Sequence, residues 1–106
     1  MTYGPAPRIE SASERDLPHV RALLSENRLP LAGVEGCLDG MRVARFGGRI
    51  VGLAALEDYG REGLLRSVVV NPEGRRAGLG ARLVAAVTEL ARTRGVRRLY
   101  LLTEDG

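Results

Sequence analysis

The feature of the sequence that most constrains the fold is the stretch from Leu64 to Arg94. Residues 64–70 are apolar except for Arg66 and Ser67, which is typical of a buried strand. Asn71-Pro72 ends that strand, because proline has no N–H to donate to a sheet. Apolar residues then recur at the spacing of an amphipathic helix: Leu79, Leu83, Val84, Val87, Leu90 and Ala91. The segment therefore predicts a strand, a loop and a helix in that order.

The predicted loop combines glycines with arginines in the run RRAGLG, residues 75–80. The first turn of a helix has N–H groups without internal partners and a partial positive charge, so it favours acidic side chains. Arginines are unfavourable there unless an anion lies between them, and Gly78 and Gly80 would let that anion approach the backbone. The loop predicts a phosphate or pyrophosphate site; the alternative is a surface turn whose arginines are merely solvated.

Two common phosphate-binding motifs do not fit this loop. The chain has no lysine, since all 16 basic residues are arginine, and a Walker A loop requires one. A dinucleotide-binding fingerprint needs a third glycine, where this chain has Leu83.

With its flanking segments, the loop resembles that of the GNAT-family N-acetyltransferases. Their signature, Gln/Arg-x-x-Gly-x-Gly/Ala between the fourth strand and the third helix, is matched by residues 75–80. A hydrophobic strand and Asn71-Pro72 precede the match, and residues 98–102 follow as the next strand. The resemblance implies an α/β fold with a mixed, mostly antiparallel sheet and flanking helices. The run LLRSVVV with RRLYLLT looks most like the arsenic-resistance-associated branch of the family.

The resemblance also implies a coenzyme site for acetyl-CoA. Backbone groups of Val68 and Val70 would contact the pantetheine arm, and an N–H near Val69 would stabilise the developing charge on the thioester carbonyl. The implied pyrophosphate site consists of Arg75, Arg76, Gly78 and Gly80, with the amides of Leu79 and Ala81. The implied function is acetyl transfer to a small amine acceptor; the alternatives are an inactive acyl-CoA-binding remnant and a self-associating structural module.

The catalytic residues are less well indicated. Family members often carry a carboxylate on the fourth strand, where this chain has Arg66 and Ser67. Glu57 and Asp58 are candidates for the general base because they close the preceding strand, although Glu57 could equally be a surface residue of a hairpin.

The family fold continues beyond the fifth strand with another helix and two strands. We therefore expect residues 1–106 to form a single GNAT-like domain covering the first two thirds of that fold. The strand at Leu99 to Leu102 would then be an apolar edge, which predicts pairing with a second copy.

The rest of the chain predicts elements that surround this site. Ser13 and Asp16 resemble a capping box, followed by a helix that ends near Asn27. A short helix is expected at Val34 to Leu38, in a region that lines the acceptor side in the family. In this region, Leu31, Val34 and Leu38 could shape the acceptor pocket or belong to the core, and Cys37 is expected to be a small buried residue.

A two-glycine turn, Gly47-Gly48, predicts a hairpin, whose second strand carries Gly52 at a bulge or a close backbone approach.

Composition argues against several classes of binding partner. The net charge is +3, but acidic residues lie among the arginines and no basic run exists, so nucleic acid is not expected. One cysteine and one histidine, His19, give no disulfide and no metal site, and we expect His19 to be a surface or half-buried residue. The sequence has no apolar run long enough to span a membrane and no signal peptide, so we expect a cytoplasmic protein without membrane contact.

Overall fold

A computed structural model describes residues 7–29, 31, 33–72 and 78–101, with only the backbone of Ser67 and Leu101. Its elements, in chain order, are β1 (Arg8–Ser11), α1 (Leu17–Glu26), β2 (Met41–Phe46), β3 (Arg49–Tyr59), β4 (Glu62–Val70), α2 (Leu79–Thr93) and β5 (Arg98–Leu101). Two 3₁₀ segments supplement them: Glu14–Asp16 leads into α1, and Val34–Gly40 leads into β2. No helix in these ranges combines the length and apolar character that a membrane-spanning segment needs.

The described strands form one sheet in the order β1-β2-β3-β4-β5. The first three pairings are antiparallel, while β4 and β5 are parallel and connected through α2. A mixed, mostly antiparallel sheet with flanking helices was the predicted fold class, and it is confirmed. The turn between β3 and β4 is tight: β3 continues to Tyr59, β4 begins at Glu62, and these two residues pair.

Both faces of the sheet are covered, which explains why β3 is apolar on both sides. Val51, Ala54 and Leu56 pack under α2, whereas Leu53 and Ala55 pack under α1 and the second 3₁₀ segment. The helical stripe predicted for α2 supplies its buried residues: Leu79, Leu83, Val87 and Ala91. Burial of such a stripe removes apolar surface from water, at about 25 cal/mol per Å², and this fixes α2 on the sheet.

Two bulges interrupt the strand pairings of β3, one with β4 and one with β2. Between the pairs Leu53↔Val69 and Ala55↔Arg66, residues 67 and 68 of β4 lie opposite the single residue Ala54. On the other side of β3, Val51 is the extra residue between its pairings with β2. A bulge leaves a residue out of the ladder and bends the strand, so β4 is bent just before Val69.

Gly52 confirms the predicted close backbone approach. A Cβ at this position would lie 2.9 Å from the carbonyl oxygen of Val69 and 3.1 Å from Cδ1 of Leu83. Only glycine leaves room for β4 and α2 to pack this closely on β3. The strand that carries the predicted coenzyme contacts is thus held tightly against the centre of the sheet.

Candidate functional site

The junction between β4 and α2 exposes a helix N-terminus. Gly78 is the N-cap residue of α2, in the left-handed conformation at φ 68° and ψ 28°. Within the described residues, no side chain caps this end, and the first turn contains no acidic residue. The first-turn amides have no partner inside the helix, so they remain donors for an anion.

The two glycines of this junction leave space that side chains would otherwise fill. A Cβ on Gly78 would meet nothing within 4 Å, and one on Gly80 would meet only Cγ2 of Val70, at 3.7 Å. Gly78 is required by its positive φ. Gly80 is not required by its conformation or by its neighbours, so its missing Cβ suits a ligand that contacts the helix backbone. The residues present therefore fit a bound pyrophosphate.

The structure places several predicted coenzyme residues together at this junction. Val68, one of the two bulge residues, is 37% exposed, whereas Val69 and Val70 are buried in the clusters under α1 and α2 respectively. Leu79 is fully buried, so only its backbone can face a ligand, and Ala81 is exposed. Arg75 and Arg76, the predicted phosphate-binding cations, lie outside the described residues.

The described pairing of β4 with β5 covers the first part of β4. The parallel ladder runs from Glu62↔Arg98 to Leu65↔Leu101. The residues that follow include the bulge, where backbone groups leave the ladder with β3. The bulge therefore lies in the segment for which pantetheine contacts are predicted.

Arg82, in the first turn of α2, has a described partner within the protein. Its guanidinium donates a hydrogen bond to the carbonyl oxygen of Pro7, at 3.3 Å. The exposed arginine at the start of α2 is therefore tied to the residue that precedes β1.

A second feature is a cavity of about 320 Å³ beside the end of β3. It forms because β3 extends past the start of β2, so that the 3₁₀ segment Val34–Gly40 lies beside its last residues. The cavity is lined by polar side chains: Cys37, Asp39, Glu57, Asp58, Tyr59 and Arg94. Its volume falls in the range of small-molecule sites.

The two carboxylates predicted as bases, Glu57 and Asp58, point to opposite faces of β3, as expected for neighbouring strand residues. Glu57 accepts hydrogen bonds from the hydroxyl of Tyr59 on Oε1 (2.9 Å) and from Nη1 of Arg66 on Oε2 (2.6 Å). These two donors hold the pKa of Glu57 below its ordinary value, the Tyr59 hydroxyl contributing most. Asp58 instead lies 3.7 Å from Nη1 of Arg94. Glu57 is therefore an anion at neutral pH with both oxygens engaged.

The remaining residues of the predicted acceptor region divide between surface and core. Leu31 is exposed, whereas Val34 is buried and Leu38 packs against the cluster under α1. Cys37 is half-buried rather than buried, because it lies on the wall of the cavity. His19 is exposed, as predicted.

Sequence reasoning did not identify Arg94 as part of this region. Arg94 follows the last turn of α2 and donates a hydrogen bond to the carbonyl oxygen of Asp39, at 3.0 Å. It thereby connects the C-terminal end of α2 to the 3₁₀ segment beside the cavity. Its partner lies 55 residues away in sequence, so no local pattern could have revealed the contact.

Neither feature is a metal centre: in the described part of the chain, no three His, Cys, Asp or Glu residues are grouped so that they could hold a metal ion.

Comparisons with known proteins agree with this geometry. Residues 8–106 match the sequence model of the acetyltransferase (GNAT) family. The amino-acid acetyltransferase of Aeromonas salmonicida is 37% identical over 68 residues, which are 62% of this chain and 15% of that protein. The amino-acid acetyltransferase of Neisseria meningitidis serogroup A is 29% identical over 106 residues, covering 92% of this chain and 24% of that protein.

A solved structure has the same fold. N-acetylglutamate synthase from Neisseria gonorrhoeae, complexed with coenzyme A and N-acetyl-glutamate, superposes with a TM-score of 0.81 and 26% identity. The match covers 95% of this chain and 26% of that one, so this chain spans about a quarter of the length of that synthase. The agreement of the family match with the sheet order and the β4–α2 junction shows that this chain belongs to the acetyltransferase (GNAT) family.

Proposed function

We propose that this chain binds acetyl-CoA at the junction of β4 and α2 and transfers its acetyl group to a small amine acceptor. The observation that carries the proposal is the start of α2, which no described side chain caps, directly after the bulge of β4. Membership of the GNAT family and the coenzyme A complex of the gonococcal synthase support it.

In the proposed complex, the amides of Leu79, Gly80 and Ala81 bind the pyrophosphate together with the positive end of the helix dipole. Arg75 and Arg76 neutralise the remaining charge; both are predictions for residues outside the described ranges. The backbone from Val68 to Val70 binds the pantetheine arm by β-type hydrogen bonds, and an N–H beside the bulge stabilises the charge that develops on the carbonyl oxygen.

Acetyl-CoA supplies the acetyl group as a thioester. The chain's own task is to hold the acceptor amine near the bulge, in its neutral form, and to accept its proton. Glu57 was predicted as that base, with Asp58 as the alternative. The lowered pKa makes the Glu57 carboxylate a weaker base than an ordinary glutamate, so proton transfer to it is less favourable.

The names of the relatives support a finer proposal, that the acceptor is an amino acid. The site we assign to it extends from the bulge along β4 to Glu57, at the edge of the cavity. Its wall combines carboxylates with arginine, so it can bind a molecule that carries both an amine and a carboxylate.

The experiment is a thiol-release assay with acetyl-CoA and a panel of amines and amino acids. We expect free CoA to appear only with a suitable acceptor. Binding of acetyl-CoA without turnover of any acceptor would instead support the binding-only alternative, and absence of binding would overturn the proposal.

The thiol-release assay does not test several finer predictions. They are a single domain over residues 1–106, the arsenic-resistance-associated branch, a cytoplasmic location and a homodimer formed through Leu99 to Leu102. Within the segment Leu99 to Leu102, Tyr100 is half exposed on strand β5, and Leu102 lies outside the described residues. Sedimentation of the purified chain, with Tyr100→Lys as the variant, tests the dimer.

A further inference from the structure

Arg66, Glu57 and Tyr59 form a hydrogen-bonded group on the face of the sheet that α1 covers. Arg66 is the register partner of Ala55, which packs under α1, and Glu57 and Tyr59 follow Ala55 at alternate positions. Side chains at alternate positions share a face, so all three project to the same side. Arg66 and Glu57 are diagonal neighbours on adjacent strands, within reach of each other's side chains.

This group fixes the orientation of the Arg66 guanidinium. Nη1 of Arg66 donates to one oxygen of Glu57 at 2.6 Å, while the Tyr59 hydroxyl donates to the other oxygen at 2.9 Å. The side chains of Arg66 and Glu57 are only 28% and 25% exposed, so water screens the pair less than a surface ion pair. A guanidinium has five N–H donors, and those not facing Glu57 can bind a second carboxylate through two parallel hydrogen bonds.

The position of Arg66 along β4 suits an acceptor rather than the coenzyme. Arg66 directly precedes the bulge at residues 67 and 68, where the acetyl group is transferred in the proposed function. Val69 is three residues further along, about 10 Å at the rise of an extended strand. A small amino acid can therefore have its amine at the bulge while a carboxylate reaches the Arg66 side chain.

We infer that Arg66 is a specificity-determining residue that binds a carboxylate of the amine acceptor, and that Glu57 is a positioning residue that orients the Arg66 guanidinium. The inference rests on the proposed acetyltransferase function and names the acceptor class of that site: amines that carry a carboxylate. It gives Glu57 a role different from the general base.

The test compares acceptors that differ only in their carboxylates: L-glutamate, its two monoamides and its diamide. In the unsubstituted chain, we expect kcat/KM to be highest for an acceptor with a carboxylate and lowest for the diamide. In Arg66→Gln, the preference over the diamide should fall by about 10- to 100-fold, the loss expected for a charged hydrogen bond. Arg92→Gln is the matched control, because Arg92 is an exposed arginine of α2 that pairs with Glu89. It should keep the preference.

Glu57→Gln separates positioning from base catalysis. As a positioning residue, Glu57 should mainly affect the KM of carboxylate acceptors, leaving kcat and the pH profile of kcat close to those of the unsubstituted chain. As the base, it would lower kcat and remove the acidic limb of the pH profile. The second result would overturn the role assigned to Glu57.

Failure of the inference and failure of the proposed function give different results. Turnover of amines with no preference for a carboxylate, or a preference that survives in Arg66→Gln, overturns the inference alone. If no acceptor is turned over, the proposed enzyme function fails. Calorimetric titration of glutamate and its diamide in the presence of CoA then decides the inference: binding of glutamate that Arg66→Gln abolishes supports it, and equal behaviour of the two compounds overturns it.

Discussion

The guanidinium of Arg45 binds both carboxylate oxygens of Asp16, with Nη1–Oδ1 and Nη2–Oδ2 distances of 3.0 and 2.7 Å. Asp16 is only 5% exposed, and it also accepts a hydrogen bond from the backbone N–H of Ser13 at 2.9 Å. The pair links the start of α1 to β2, and Nε of Arg45 adds Glu10 of β1 at 2.9 Å. We expect Asp16→Asn to lower the free energy of unfolding by about 1.5–3 kcal/mol, the range for a charged hydrogen bond. Urea denaturation measures the change.

The same pair predicts how stability depends on pH. The hydrogen bond from Arg45 is the main reason why the pKa of Asp16 lies below its ordinary value of 3.8. A carboxyl whose pKa is lower in the folded state contributes stability above the unfolded-state pKa and loses it as pH falls through the folded-state value. The difference between the unsubstituted chain and Asp16→Asn should therefore be constant above about pH 5 and shrink below about pH 4. Glu89→Gln, which breaks an exposed pair with Arg92, is the control and should leave the denaturation midpoint unchanged.

Gly52 predicts a steric effect at the centre of the sheet. In Gly52→Ala, the new methyl group would press on the Val69 carbonyl at 2.9 Å, which a backbone atom cannot easily relieve. We expect a loss of about 1–3 kcal/mol in the free energy of unfolding, typical of overpacking. Gly36→Ala is the control, since a Cβ there meets nothing within 4 Å. Equal denaturation curves for both variants would contradict the close approach.

Gly78 predicts a conformational effect at the start of α2. Valine at φ 68° should lower the free energy of unfolding by about 1–2 kcal/mol, because its Cβ is strained in the left-handed region. Asparagine tolerates this region better, so Gly78→Asn should cost less than Gly78→Val. Denaturation of both variants measures the difference, and a smaller loss for valine than for asparagine would show that φ at this position is not positive.

The sequence predicted the elements of the fold well where the signal is local. Spacing of apolar residues from Leu79 to Ala91 predicted α2 because burial of one helix face depends on that periodicity alone. The pair Gly47-Gly48 predicted the β2–β3 hairpin because turn geometry is also a local property. The junction of β4 and α2 was predictable for the same reason, since it consists of adjacent residues in one segment.

The region around Glu57 and Arg66, where the acceptor is proposed to bind, was less predictable because its side-chain contacts depend on strand register. Glu57 and Asp58 were both candidates for the base in sequence, and only their pairing partners show which face of the sheet each one is on. Arg66 stood out in sequence only as a polar interruption of an apolar strand; its contact with Glu57 requires the hairpin alignment. Asp16 and Arg45, 29 residues apart, were not recognised as a pair because nothing in the apolar pattern connects them.

The measurement that tests the central claim most directly is calorimetric titration of CoA into the unsubstituted chain and into Gly80→Glu. A Cβ at this position has room within the protein, at 3.7 Å from Val70, and an acidic side chain is favourable in the first turn of a helix, so the variant should be no less stable than the unsubstituted chain. Its carboxylate would repel a pyrophosphate bound at the same helix end. Thr88→Glu, an exposed change of the same charge on the same helix and far from the junction, is the control. We predict that the unsubstituted chain and Thr88→Glu bind CoA equally, whereas Gly80→Glu binds at least about tenfold more weakly without being less stable. Equal affinity in Gly80→Glu, or no binding to the unsubstituted chain, would contradict a coenzyme site at the start of α2.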